Sequence, residues 1–169
     1  MGSIGRDRTA CNRQCAVHGG MVAASTDILI GDASAQHVLI RPVARTTPGL
    51  FDDRDDSAIS CEVQIAVGGF RGQFAAELRT EEFRSMLDEI EASGTSLENA
   101  ANFDATSGQI DLSLIGDGAG NVLVAGYVAD AEEDGNRLEF AFAMGEAVMP
   151  DLIRSLEQVL AAFPLHGPH

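Results

Sequence analysis

The chain has 169 residues and a mass of 17.8 kDa, enough for one domain with a buried core. Its 11 basic residues, all arginine, stand against 26 acidic residues and give a formal net charge of −15. A surface this negative repels phosphate backbones and anionic headgroups, so we expect no binding to nucleic acid or to membranes. The charge fits a basic protein partner, and it also fits a role in solubility alone.

The first 20 residues differ from the rest because they carry three arginines, one aspartate and no hydrophobic periodicity. They predict a loosely ordered N-terminal arm (1–20) before a single α+β domain (21–165) and a C-terminal tail (166–169). Cys11, Cys15 and His18 lack the spacing and the fourth ligand of a zinc site, so we expect no metal there. An odd cysteine count without an export signal predicts a cytoplasmic protein.

Short strand-like runs begin at about residue 26. The segments "DILIGD" and "QHVLIRPVAR" predict two strands. Pro42 in the second of them indicates a sheet edge or a bulge, because proline cannot donate a hydrogen bond to a ladder. In "AISCEVQIAV" apolar and polar residues alternate from Ile59 to Val67, which predicts the clearest strand of the chain.

Three glycines interrupt the following segment, "VGGFRGQF". A phosphate-binding loop would need its glycines to lead directly into a helix N-terminus, but several strand residues intervene here. We therefore predict that Gly68 and Gly69 form a hairpin turn and that Gly72 marks a bulge or a close backbone approach. A helix is predicted over about 80–93, with Thr80 as its N-cap and an apolar stripe at helical spacing.

Four further strand-like segments follow the helix. "SLENAANFD" is the weakest, whereas "QIDLSLIGD", "NVLVAGYVAD" and "NRLEFAFAM" alternate clearly. Pro150 suits the first turn of a second helix over about 150–163. The predicted fold is α+β, with an antiparallel β-sheet of about six to seven strands and both helices packed on it.

Few residues in these elements suit catalysis. Cys61 falls on the apolar face of its strand, so we interpret it as a buried structural thiol rather than a nucleophile. The connector "GDGAGN" lacks the Lys-Ser/Thr pair of a P-loop and the closing Glu of a calcium loop, and turn chemistry explains it better. We therefore expect no catalytic residue and no cofactor.

Two acidic segments are conspicuous in the predicted loops. One contains Asp52, Asp53, Asp55 and Asp56, and the other contains Asp130, Glu132, Glu133 and Asp134. The first could hold a divalent cation, but consecutive carboxylates in a loop are more often only solvated. Paired carboxylates perform acid–base chemistry only inside a pocket that raises one pKa, and the sequence implies no such pocket.

Four stretches across about residues 26–165 resemble the WapI family of immunity proteins, which are antidotes to bacterial contact-dependent toxins. They are "FRGQFAAELRTEEFRSMLDEI", "QIDLSLIGDGAGNVLVAGYV", "RLEFAFAM" and "LIRSLEQVLAAFP". The family's patterns are F-x-x-x-L in the first helix, G-x-V/L-x-V in a strand after a turn, and a terminal Phe-Pro. The matching positions here are Phe83, Leu87, Gly120, Leu123, Val124, Phe163 and Pro164.

The resemblance implies a non-enzymatic protein that occludes a toxin by binding it. Toxins that act on nucleic acid are commonly basic, so an acidic surface would suit the contact. The predicted partner-binding residues are then Asp52, Asp53, Asp55 and Asp56 in the loop and Asp130, Glu132, Glu133 and Asp134 in the connector. The main alternative is a structural or accessory module that forms a homodimer through a sheet edge.

Overall fold

The computed structural model describes residues 25–46 and 57–165. The predicted arm over 1–20, the acidic loop over 52–56 and the tail over 166–169 lie outside these ranges, as do Cys11, Cys15 and His18. The elements in chain order are β1 (Ile28–Gly31), β2 (His37–Arg45), β3 (Ala58–Val67), β4 (Phe70–Arg79), α1 (Thr80–Ser93), β5 (Ala101–Asp104), β6 (Ile110–Gly116), β7 (Asn121–Ala129), β8 (Arg137–Gly145), a short 3-10 helix (Glu146–Val148) and α2 (Met149–Ala162).

The strands form two antiparallel sheets of four strands each, with the orders β1-β2-β3-β4 and β5-β6-β7-β8. The α+β prediction is confirmed, and both helices agree with their predicted ranges to within one residue. The eight strands divide into two sheets because α1 follows β4 and carries the chain to a separate meander. Each half of the chain thus has the same element order, four strands and then a helix.

Local features of the first sheet follow the sequence closely. The β2–β3 register shifts between Pro42 and Ala44, so the predicted bulge is present. Strands β3 and β4 pair continuously from Val67–Phe70 at the turn to Ala58–Arg79. The predicted bulge at Gly72 is therefore wrong. A Cβ atom there would lie 3.1 Å from the side chain of Ile65 on the paired strand, so a neighbouring side chain occupies the space.

Both helices contribute an apolar stripe to one continuous core. In α1 the buried apolar residues are Phe83, Met86, Leu87 and Ile90. The two helices contact each other, and each also contacts the first strand of the other half, α1 with β5 and α2 with β1. The halves are therefore joined through their helices rather than through a shared sheet.

Neither helix has the length and apolar character required to cross a membrane.

The start of α1 differs from the expectation by one residue. Thr80 is the first helical residue, and Arg79 occupies the N-cap position. The Glu82 carboxylate accepts hydrogen bonds from the backbone N–H of Arg79 at 2.9 Å and from that of Thr106 at 2.7 Å. The Glu82 carboxylate, rather than the Thr80 hydroxyl, thus accepts a hydrogen bond from the backbone N–H at the start of α1. The same carboxylate links the helix start to the β5–β6 turn by a second hydrogen bond.

Candidate protein-binding surface

The glycine-rich segment after β3 is a hairpin corner. Gly68 has a φ of +57°, which a tight turn requires and which glycine adopts without strain. The Arg71 guanidinium donates hydrogen bonds to the carbonyl oxygens of Gly68 at 3.0 Å and Phe70 at 2.8 Å. Because α1 begins only at Thr80, the glycine N–H groups do not lead into a helix N-terminus. The turn prediction is confirmed.

Cys61 lies in the core, with 1% of its surface exposed. Burial, with a smaller contribution from the negative charge of Glu82, raises the pKa of the Cys61 thiol to about 12. A thiol with this pKa holds almost no thiolate at neutral pH and is a poor nucleophile. The interpretation of Cys61 as a buried structural thiol is confirmed.

The connector between β6 and β7 is built by Asp117. Its carboxylate accepts hydrogen bonds from the backbone N–H groups of Ala119 at 2.7 Å and Asn121 at 3.0 Å, and from the Asn121 side chain at 2.8 Å. The Asn121 side chain, followed by the backbone donors, lowers the pKa of Asp117. These bonds are turn chemistry, as predicted. Within residues 25–46 and 57–165, no group of three or more His, Cys, Asp or Glu residues is arranged to hold a metal ion.

The β7–β8 connector uses its first acidic residue in the same way. The Asp130 carboxylate accepts hydrogen bonds from the side chain of Asn136 at 2.9 Å and from its backbone N–H at 2.7 Å. The side-chain bond, followed by the backbone bond, lowers the pKa of Asp130. Glu132, Glu133 and Asp134 are exposed. Of the four residues predicted here to contact a partner, Asp130 shapes the turn while the other three face solvent.

The grooves found near the first sheet are shallow and open to solvent. One of about 480 Å³ is lined by residues that include His37, Gln64 and Arg71, and another of about 530 Å³ by residues that include Val43 and Glu62. An open groove leaves its polar groups in contact with water.

The outer face of the first sheet pairs its charges internally. The Arg41 guanidinium donates to both carboxylate oxygens of Asp27 at 3.2 to 3.3 Å and lies 3.9 Å from Glu62. Glu62 also accepts hydrogen bonds from the side chains of Gln64 and Gln73. The polar groups of this face are thus largely satisfied by one another.

The outer face of the second sheet is arranged differently. Strand register places its outward side chains in three rows, which we call the second-sheet face. The acidic row contains Asp104, Asp111, Tyr127 and Glu139, the middle row contains Asn102, Ser113, Ala125 and Ala141, and the apolar row contains Ile115, Leu123 and Ala143. Large apolar side chains thus lie two rows from a line of carboxylates on one uncovered surface.

One arginine stands beside the acidic row. The Arg137 guanidinium lies 3.5 Å from the centre of the Tyr127 ring and forms an ion pair with Glu139 at 3.0 Å. Asp104 and Asp111 are directly opposite each other in the β5–β6 register. Neither forms an ion pair with any residue that the structure describes. Among the described residues, the acidic row therefore keeps two carboxylates, Asp104 and Asp111, without an ion-pair partner.

A model of the immunity protein WapI-like family matches residues 28–164, most of the chain. The chain belongs to the WapI-like immunity protein family. The resemblance noted in the sequence is confirmed. Comparison with curated proteins found no match, and comparison with solved structures found none either.

Most positions that carried the WapI-like resemblance are packing positions. Phe83, Leu87 and Val124 are buried in the core, and Gly120 forms a turn with a φ of +90°. Leu123 is different, because 44% of its surface is exposed on the second-sheet face. The resemblance thus rests on core packing at Phe83, Leu87 and Val124 and on a turn at Gly120, while Leu123 and Pro164 are exposed.

Sequence reasoning did not single out Asp104, Asp111 or Glu139 as candidate contact residues, because it placed the acidic surface in the connectors. The available signal was the polar position between apolar ones in "NFD", "QIDLS" and "RLEFA". That signal shows which side chains point outward. It does not show which strands are neighbours, so only the register brings these carboxylates into one row.

Proposed function

We propose that this chain is an immunity protein that neutralises a toxin domain by binding it directly, without catalysing a reaction. The observation that carries the proposal is membership of the WapI-like immunity protein family over residues 28–164. A protein of this kind works by covering a functional surface of the toxin, so it needs a stable scaffold and a complementary face rather than reactive groups. We further propose that it acts in the cytoplasm.

The distribution of charge supports a basic partner. Residues 94–165 contain twelve acidic residues and two arginines. Both arginines are already paired, Arg137 with Glu139 at 3.0 Å and Arg154 with Asp151 at 2.9 Å. The remaining negative charge would raise the rate of encounter with a positively charged protein. Glu132, Glu133 and Asp134 are proposed contacts, together with the predicted loop of Asp52, Asp53, Asp55 and Asp56.

The roles of the buried polar groups support binding rather than catalysis. Thr80, Glu82 and Gln109 are the buried polar or charged residues in the part of the chain that the structure describes. The side chain of each bonds to backbone. Thr80 donates to the carbonyl of Ser57, and Gln109 donates to the carbonyl of Ala75 at 3.1 Å. Glu82 accepts from the N–H groups of Arg79, at the start of α1, and Thr106, in the β5–β6 turn. These three buried groups therefore stabilise the fold through bonds to the backbone.

The proposal is tested by producing the chain with the toxin domain encoded by the gene that adjoins its own. We expect the two to form a complex and the chain to protect cells that express the toxin domain. The association rate should fall by about tenfold or more between about 20 mM and about 500 mM NaCl, because salt screens the attraction between the partners. Stopped-flow or biosensor measurements report this rate.

Absence of both a complex and protection would overturn the proposal. The alternative of self-association has its own structural basis, since β4 is a ten-residue edge strand whose residues 70–73 are exposed. An exposed strand of this length can pair with a second copy. A stable homodimer in sedimentation, combined with no affinity for the toxin domain, would favour that alternative.

A further inference from the structure

We infer that the second-sheet face is the surface that docks the toxin, and that it fits a basic protein surface with an apolar centre. The inference rests on the proposed function and adds the location and chemistry of the contact. It differs from the connector-centred prediction because it places the contact on the strands of a sheet, with the β7–β8 connector at its border.

The apolar row gives the face its contact area. Ile115 and Leu123 are directly opposite in the β6–β7 register and expose 42% and 44% of their surfaces. Beside them Ala141 and Ala143 are exposed, and Ala125 is half-buried. Short side chains next to two aliphatic ones form a flat, uncovered patch. Removal of such a patch from water drives protein association.

The acidic row indicates the charge of the partner. Like charges directly opposite each other in an antiparallel pair destabilise the sheet, and Asp104 and Asp111 are placed in this way. The opposed carboxylates of Asp104 and Asp111 therefore do not stabilise the folded chain by themselves. A lysine or arginine from a partner, placed between the two carboxylates, would convert this repulsion into attraction.

The first sheet provides an internal comparison. That sheet has the same meander topology, and on its outer face Arg41 bonds to Asp27 and lies within ion-pair distance of Glu62. The first sheet also exposes Val43 and Glu77, but Glu77 lies opposite Ser60 in the strand register. On the second-sheet face two carboxylates, Asp104 and Asp111, are directly opposite each other, two rows from Ile115 and Leu123. A second copy of the chain would present the same negative row and be repelled, so the chemistry favours a basic protein as the occupant.

Two matched substitutions test the inference. Ala141 and Ala75 are both exposed alanines on the outer face of an edge strand, β8 in the second sheet and β4 in the first. Ala141→Arg and Ala75→Arg therefore add the same bulk and the same charge to the two different faces. We expect Ala141→Arg to raise the dissociation constant for the adjoining toxin domain by about tenfold or more, and Ala75→Arg to change it by less than about twofold.

The outcomes separate the two proposals. If the wild-type chain binds the toxin domain but Ala141→Arg binds equally well, the docking surface is wrong and the proposed function stands. Equal weakening by both substitutions, or weakening by Ala75→Arg alone, would also overturn the surface. If the wild-type chain does not bind, both proposals fail. Circular dichroism of each variant verifies that it is folded.

Removal of the opposed charges provides a second, independent readout. The double substitution of Asp104→Asn and Asp111→Asn should slow association with the toxin domain at low salt and reduce the salt dependence, while the melting temperature stays the same or rises. The control is Glu77→Gln, which removes an exposed charge from the outer face of the first sheet and should not change the association rate. A fall in melting temperature together with an unchanged association rate would show that the two aspartates serve only the fold.

Discussion

Gly116 and Gly145 both end a strand of the second sheet, but their surroundings differ. A Cβ atom at Gly116 would lie 1.8 Å from the carbonyl oxygen of Ser96, whereas a Cβ atom at Gly145 would meet nothing within 4 Å. The N–H of Gly116 donates to the carbonyl oxygen of Leu97 at 3.1 Å. Leu97 is buried and has a φ of +47°. Close approach of the loop after α1 therefore requires glycine at position 116.

This difference predicts opposite responses to the same substitution. Gly116→Ala should lower the free energy of unfolding by about 1–3 kcal/mol, because the backbone around Ser96 must move to admit a methyl group. Gly145→Ala should change it by less than about 0.5 kcal/mol. Urea unfolding followed by circular dichroism measures both values. Similar losses for the two variants would contradict the steric explanation.

At the scale of the element, α1 depends on one carboxylate. Glu82 is 9% exposed and accepts backbone hydrogen bonds from both Arg79 and Thr106. The helix start is therefore coupled to the turn between β5 and β6, twenty-four residues later in the chain. The neighbouring Glu81 also lies in the first helical turn, but it is exposed.

We expect Glu82→Ala to lower the free energy of unfolding by about 2–3 kcal/mol, because the partly buried N–H groups of Arg79 and Thr106 lose a charged acceptor. Glu81→Ala, which removes only a favourable interaction with the helix dipole, should lower it by less than about 1 kcal/mol. Equilibrium denaturation in urea distinguishes the two. If Glu81→Ala were as damaging as Glu82→Ala, charge at the helix end rather than hydrogen bonding would anchor α1.

At the scale of the whole molecule, the two halves share one core. Each helix contacts the first strand of the other half, and Gln109 in the second half donates a hydrogen bond to the Ala75 carbonyl in the first. Neither half can bury its apolar surface without the other. The halves should therefore unfold together.

Two intrinsic probes test this cooperativity. Tyr127, the single tyrosine of a chain without tryptophan, reports on the second sheet, and the buried Cys61 thiol reports on the first. In a chain carrying Cys11→Ser and Cys15→Ser, the urea midpoint from Tyr127 fluorescence should coincide with the midpoint from Cys61 labelling. Separate midpoints would show that the two sheets unfold independently.

The order of apolar and polar residues predicts the elements of the described chain. Alternation of apolar residues located the strands, helical spacing located α1 and α2, and Gly68 and Pro42 marked a turn and a bulge correctly. The burial of Cys61 followed from its place in the alternation. These features depend on residues close in the chain, whose local geometry the side chains set directly. The predicted contact role of the connector stays a prediction.

The way in which the elements combine depends on long-range packing, which the local residue pattern does not reveal. Alternation shows which face of a strand is apolar, but it does not show whether eight strands form one sheet or two, or that each helix reaches the opposite half. The second-sheet face depends on cross-strand register, which brings Asp104 opposite Asp111 and Ile115 opposite Leu123. Such pairs are distant along the chain or separated by a turn. Their proximity is set by the packing of the whole core rather than by any local preference.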